Sequence, residues 1–240
     1  MAVEVTALDA GFGTVELPTA REGLWRMLAA MAGGVFVAAF VLGAVLAPAG
    51  PGPFAARMHV HEYFVSHYHA VLQQSYFIHG LAGAALVVLA VALWRSFADV
   101  PLSGVARRVL LGAGIAAAAA SFVQLLIVLR IERHITRGVG TRRTDVLFDT
   151  LNRTGAAKLF LLAVAVGAAS ILVARSDAFP RWMPRVGYIV VPVLVLAAVA
   201  DIARGPALQT VLTLSLPLLM LWVATASAVL WRRPQAVAGA

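Results

Sequence analysis

Six apolar stretches, at about residues 25–47, 71–94, 107–129, 149–173, 185–203 and 208–231, constrain this chain more than any other feature. Each can supply the roughly 20 residues that a helix needs to cross hydrocarbon. Inside a bilayer every backbone N–H and C=O must find its partner within the protein, which leaves helical bundles and closed barrels. The Ala, Leu and Val runs do not alternate as barrel strands do. The expected fold is therefore all-α, a polytopic transmembrane helical bundle of about six spans. The composition agrees, with 61% hydrophobic and 12% charged residues and a mean hydropathy of +0.89. A soluble domain carries roughly twice that charge fraction. One transmembrane domain over 24–233 is expected, with tails at 1–23 and 234–240.

The formal charge of +8 comes from 18 arginines and one lysine, Lys158, against 11 acids. Arginines flanking apolar spans mark topology and lipid-headgroup contact, so nucleic acid is not an expected partner, whereas membrane lipids are. Lys158 reads as a codon bias toward arginine as much as chemistry. The absence of cysteine excludes thiolate metal ligands, disulfides and thiol redox chemistry. Residues 1–22 carry Glu4, Asp9, Glu16 and Glu22 against Arg21, the wrong sign for a signal peptide, so no cleavable signal is expected.

Pro48, Pro51 and Pro53 stop the first span, because proline removes a donor and cannot continue a helix. Segment 54–70 is too polar to span and reads as an interfacial half-helix or the wet start of span 2. With the N-terminus inside, ten basic residues fall inside and nine outside. Leaving out the 130–158 connection, the ratio becomes ten to two, which favours both termini inside. Trp25, Trp94, Trp182 and Trp231 fall at the same inner ends. The exception is loop 130–148, with Arg130, Arg133, Arg137, Arg142 and Arg143 on the side where few are expected.

Running from segment 54–70 into span 2, Glu62, Ser66, His69, Gln73 and Tyr76 step at intervals of 4, 3, 4 and 3 and share one helix face. Polar groups are expensive in hydrocarbon, so this stripe is expected to face the bundle interior. Burial would raise the pKa of Glu62 toward the range of a general acid. The structural alternative is interhelical hydrogen bonding. Gly80 and Gly83 continue roughly the same face and suggest close helix approach. The pairs His59/His61 and His67/His69, with His79, form a histidine cluster, but residues two apart on a helix point about 200° away from each other. No metal site is expected from them.

Asp201 follows seven apolar residues near the outer end of span 5 and is either functional or the partner of Arg204. Asp145, Asp149, Asn152 and Arg153 open span 4, where Asp149 and Arg153 can pair at i,i+4. Together with Arg130, Arg133, Arg142 and Arg143 they could hold an anionic headgroup or a diphosphate. Ser121 and Gln124 share a face of span 3. Thr210, Thr213, Trp222 and Thr225 do the same in span 6, and Pro192 and Pro217 mark kinks in spans 5 and 6.

The segment Phe179-Pro-Arg-Trp-Met-Pro-Arg-Val-Gly187, with Tyr63-Phe-Val-Ser-His-Tyr-His-Ala-Val before span 2 and Asp201 late in span 5, resembles a broad family of uncharacterised bacterial six-helix membrane proteins. That likeness implies the bacterial inner membrane and no activity. The pair Glu62 and Asp201 is similar in placement to the early Glu and late Asp of integral-membrane terpene cyclases of meroterpenoid pathways. This second likeness implies a cyclase-like lyase or isomerase that uses Glu62 to protonate a lipophilic, isoprenoid-derived substrate, with Asp201 as base or carbocation stabiliser. His69 and Tyr76 would tune Glu62. Gln73, Gln124, Arg130, Asp149, Asn152 and Trp222 would line the substrate site, without metal or cofactor. A transporter or lipid-binding protein using the same acids, a non-catalytic scaffold or accessory subunit, and a histidine-ligated metal or haem protein stay open beside it. The oligomeric state is not legible.

Overall fold

A computed structural model describes residues 20–48, 50, 57–98, 100–101, 103–137, 141–176, 179–203 and 206–232. Residues 1–19 of the N-terminal tail, the C-terminal tail, Pro51–Pro53 and Arg204 lie outside the described residues, and α1 begins at Ala20, within the stretch expected as tail. Among those described there are only helices: α1 (Ala20–Leu46), α2 (Arg57–Ser66), α3 (Tyr68–Ser75), a π-helical segment Tyr76–Leu81, α4 (Ala82–Ser96), α5 (Gly104–Thr136), α6 (Thr141–Ala174), α7 (Met183–Ala203) and α8 (Pro206–Arg232). Six of the resulting helical stretches are long and apolar enough to cross a membrane, with α3, the π-segment and α4 forming one of them. The chain is a multi-pass transmembrane bundle.

The spans close into a ring in which α1 packs on α4, α4 on α5, α5 on α6, α6 on α7, α7 on α8 and α8 back on α1. Small residues allow the closest crossings, as expected where backbones must approach without a hydrophobic drive from lipid. A Cβ on Gly114 would stand 2.6 Å from Ala90 Cβ, and one on Gly83 would stand 3.2 Å from Ser121 Cβ. Gly83 thus makes the close approach expected of it. On α1, the heptad-like set Ala29, Ala32, Phe36 and Ala39 is buried. One turn further, Gly43 admits Ile78 of the π-segment. At the tryptophan-bearing end, the Arg95 guanidinium lies 5.7 Å from the Trp25 ring and 4.6 Å from the Trp94 ring. Arg107 Nε donates to Trp94 O at 3.0 Å.

Length separates the helices into two classes. With 33 and 34 residues, α5 and α6 are each about 50 Å long, against about 30 Å of hydrocarbon. Their excess forms a cap with α2. There Val60 and Phe64 of α2, Val71 of α3 and Ile127, Val128 and Ile131 of α5 make a second apolar cluster, against which Phe148 and Leu151 of α6 pack. Tyr63 Oη donates to Pro48 O at 2.8 Å and ties the cap to the end of α1. Burial pushes the Tyr63 phenol pKa above its usual value. Tyr68 Oη donates to Glu132 Oε1 at 2.6 Å.

The cap corrects the expectation of a loop over 130–148. Residues 130–136 and 141–148 are helical, leaving a short connection at 137–140. Four of the five arginines read as loop charges, Arg130, Arg133, Arg142 and Arg143, lie on helices, because Leu147, Phe148 and Ile135 join an apolar cluster with α2 that charge counting does not register. Pro192 and Pro217 lie inside helices that continue through them. With six spans, reporters fused to the two termini are expected on the same side of the membrane. Opposite sides would overturn the span count, and the side observed tests the inside orientation expected from the arginine bias.

Candidate functional site

The five-residue stripe does form one face, but it is the outer one. Glu62, Ser66, His69 and Gln73 are exposed, and Tyr76 is 49% exposed. This corrects the expectation that Glu62, His69, Gln73 and Tyr76 face the interior. The reason is depth. Counting 1.5 Å per residue from Trp94, Gln73 stands about 32 Å and His69 about 38 Å along the helix, at or beyond the hydrocarbon boundary, and Glu62 lies on α2, past the break at His67. Water and headgroups satisfy polar groups there, so the cost of burying them in lipid does not turn them inward.

The apolar face, with Val60, Phe64 and Val71, is the buried one. Among the described residues α2, which carries Glu62, packs on α3, α5 and α6 and not on α7, which carries Asp201. Trp222 is buried at the other end of α6, where its Nε1 would stand 2.9 Å from a Cβ on Gly187, beside Ser170. Ser170 is about 18 Å along α6 from Lys158 by helical rise.

What the bundle does bring together is a different polar set. Gln124 of α5 is buried, and its Nε2 donates to Leu151 O of α6 at 3.3 Å. The same amide nitrogen would stand 3.2 Å from a Cβ on Gly155, and the Asp201 carboxylate of α7 would stand 3.4 Å from it. Glycine at 155 is what lets both side chains reach the α6 backbone. One turn further along α6 is Lys158, only 7% exposed. His79 lies in the π-segment, which packs on α1, α4 and α5.

Measured from the ends of their own helices on the tryptophan-bearing side (Ser96, Gly104, Ala174 and Met183), His79, Gln124, Lys158 and Asp201 stand about 24–30 Å along. They form one layer just inside the hydrocarbon, below the cap. The α6 window is also the most buried of the six spans, at 67% against 33–44% for the others.

The chemistry of this layer is unbalanced. Among the described residues no carboxylate stands within ion-pair distance of Lys158; the ion pair there is Arg153 Nη2 to Asp149 Oδ2 at 2.9 Å, the expected i,i+4 pair. Asp201 has an interaction of its own. His79 Nδ1 and Gln124 Oε1 are buried without a hydrogen-bond partner among the described residues. The π-segment carries His79, and Ala82 N–H reaches back to Phe77 O. Such extra-residue turns recur at functional sites.

Asn152 and Asp149 are half-buried on α6, nearer the cap. Arg130 is exposed on α5. Among the described residues no group of three or more His, Cys, Asp or Glu is placed to hold a metal ion.

Of this layer, the sequence reading picked out Gln124 and Asp201 and passed over Lys158, His79 as a site residue, and Gly155. The signal for Lys158 was available: a single lysine in mid-span is an intramembrane ionisable residue and a functional candidate by default. No family model, curated protein or solved structure matches the chain.

Proposed function

We propose that this membrane protein binds a lipophilic acid, a molecule with an apolar body and a phosphate or carboxylate head, with Lys158 as its counter-charge. The observation that carries the reading is the buried Lys158 ammonium with no described carboxylate in pairing distance. A buried charge is costly unless it is paired. A buried polar atom left without a partner costs about 1–3 kcal/mol, so His79 Nδ1 and Gln124 Oε1 add to the demand for a ligand. A phosphate monoester head meets all three groups. Its charged oxygens accept from Lys158 and from the Nδ1–H of a neutral His79, and its remaining hydroxyl donates to Gln124 Oε1. A carboxylate head, which keeps no hydroxyl when ionised, meets the first two.

The depth of the layer suits such a molecule, whose head stays near the cap while its tail lies along the apolar bundle. The terpene-cyclase-like reading on an isoprenoid-derived substrate places Glu62 and Asp201 in one cavity, whereas Glu62 lies on the exposed face of α2.

Native mass spectrometry of the protein extracted in mild detergent tests the proposal. Wild type is expected to retain a lipophilic acid, and Lys158→Gln at least about tenfold less, as for loss of a buried charged partner. Equal retention by the two proteins would overturn the assignment.

A further inference from the structure

A second site lies on the outside of the bundle and is independent of the Lys158 layer. Leu126, Leu129, Arg130, Arg133, His134 and Arg137 line a surface groove of about 460 Å³ on α5. Leu126, Arg130 and Arg133 step by 4 and 3 on one face of α5, and Arg137, four residues further, is its C-cap. The three arginines are exposed and Leu126 is 64% exposed. None of the three arginines forms an ion pair with a described carboxylate. The acid amid this stretch, Glu132, is taken up by Tyr68. Topology does not account for these charges, because they run against the bias that orients the other spans.

Depth decides what the groove fits. Counting from Arg107, Leu126 stands about 29 Å along α5 and Arg130 about 35 Å, on either side of the hydrocarbon boundary. The groove therefore passes from acyl-chain depth to headgroup depth along one helix face. We infer that it holds an anionic phospholipid of the surrounding bilayer, with the phosphate among Arg130, Arg133 and Arg137 and an acyl chain against Leu126 and Leu129. Arginine forks match phosphate oxygens, and His134 adds a ring nitrogen beside them. A soluble phosphate would use the arginines and leave the two leucines without a role. A phospholipid uses both.

The cysteine-free chain makes the test direct, since one introduced cysteine is the only thiol. Val123→Cys, one turn below Leu126, and Val88→Cys, on α4, replace side chains of equal exposure, 45% each. Each would carry a bimane fluorophore, with quenching by brominated phosphatidylglycerol compared with brominated phosphatidylcholine in bilayers. The preference for phosphatidylglycerol is expected to be at least about fivefold at position 123, the scale of a single arginine near a lipid surface, and close to one at position 88. Replacing Arg130, Arg133 and Arg137 by Gln should bring position 123 down to the level of position 88.

Equal preference at the two positions would overturn the site, as would a preference that survives the triple replacement. If millimolar inorganic phosphate removed the preference, the groove would be a soluble-anion site and not a lipid site. Should the triple variant lose its helicity, the comparison of the two positions in the otherwise unaltered chain decides alone.

Discussion

Lys158→Met is expected to make the protein harder to unfold and unable to hold its ligand. The two effects come from one charge. An ammonium that is 7% exposed among apolar helices has lost its water. Replacing buried ionic groups by apolar side chains of similar volume is often neutral or stabilising by about 1–4 kcal/mol. The Met side chain fits the space of the lysine stem and removes the charge. Retention of a lipophilic acid should fall by about 100-fold, within the 2–5 kcal/mol range for truncating one partner of a buried charge pair. Thermal or denaturant unfolding in a detergent of fixed composition, with ligand retention read on the same samples, gives both quantities. A variant that unfolds more easily and keeps its ligand would show that Lys158 is held for packing and not for binding.

Gly187→Ala is expected to be the most damaging single-methyl change in the bundle. A Cβ at this position overlaps Ser170 Oγ on α6 and would stand 2.9 Å from Trp222 Nε1 on α8, so α6, α7 and α8 meet over one missing side chain. Ser170 is fully buried and its hydroxyl donates to Val166 O at 2.7 Å, so it has little room to turn away. Overpacking of this kind costs about 1–3 kcal/mol, and here the upper part of that range is expected. Adding Ser170→Ala removes the overlapping oxygen and should recover part of the loss, a coupling above about 0.5 kcal/mol in a double-mutant cycle. Strictly additive changes would mean that the helices separate at this junction instead of repacking.

These positions show what was legible in the sequence and what was not. Span number and fold class follow from hydrocarbon thickness and backbone hydrogen bonding, which act on composition alone, and they stand. The periodicity of Glu62 to Tyr76 was also legible, since the five residues do share a face. Which way that face points was not, because it depends on where the membrane surface cuts the helix. That cut is set by the length of α5 and α6, through apolar cap residues such as Phe148 whose partner lies far away in sequence. Lys158 was hidden differently. Among 18 arginines a lone lysine looks like a compositional remainder, and only the packing of α5 and α7 on α6 gives it neighbours.

The cap has a consequence for how the protein is assembled. Phe64 and Phe148 meet edge to face with ring centroids 6.1 Å apart, yet spans 2 and 3 and the start of span 4 lie between them in the chain. Contacts this distant in sequence form late, since the intervening chain must be placed first. When α2 leaves the insertion machinery, the α6 surface it will cover has not been made. Until then Val60, Phe64 and Val71 must lie against something else, and the bilayer surface is the apolar phase at hand. Glu62, His69 and Gln73, on the opposite side of the same segment, would keep it wetted there. A polar row that reads as a buried site then has a second use, as the waterline of a waiting helix.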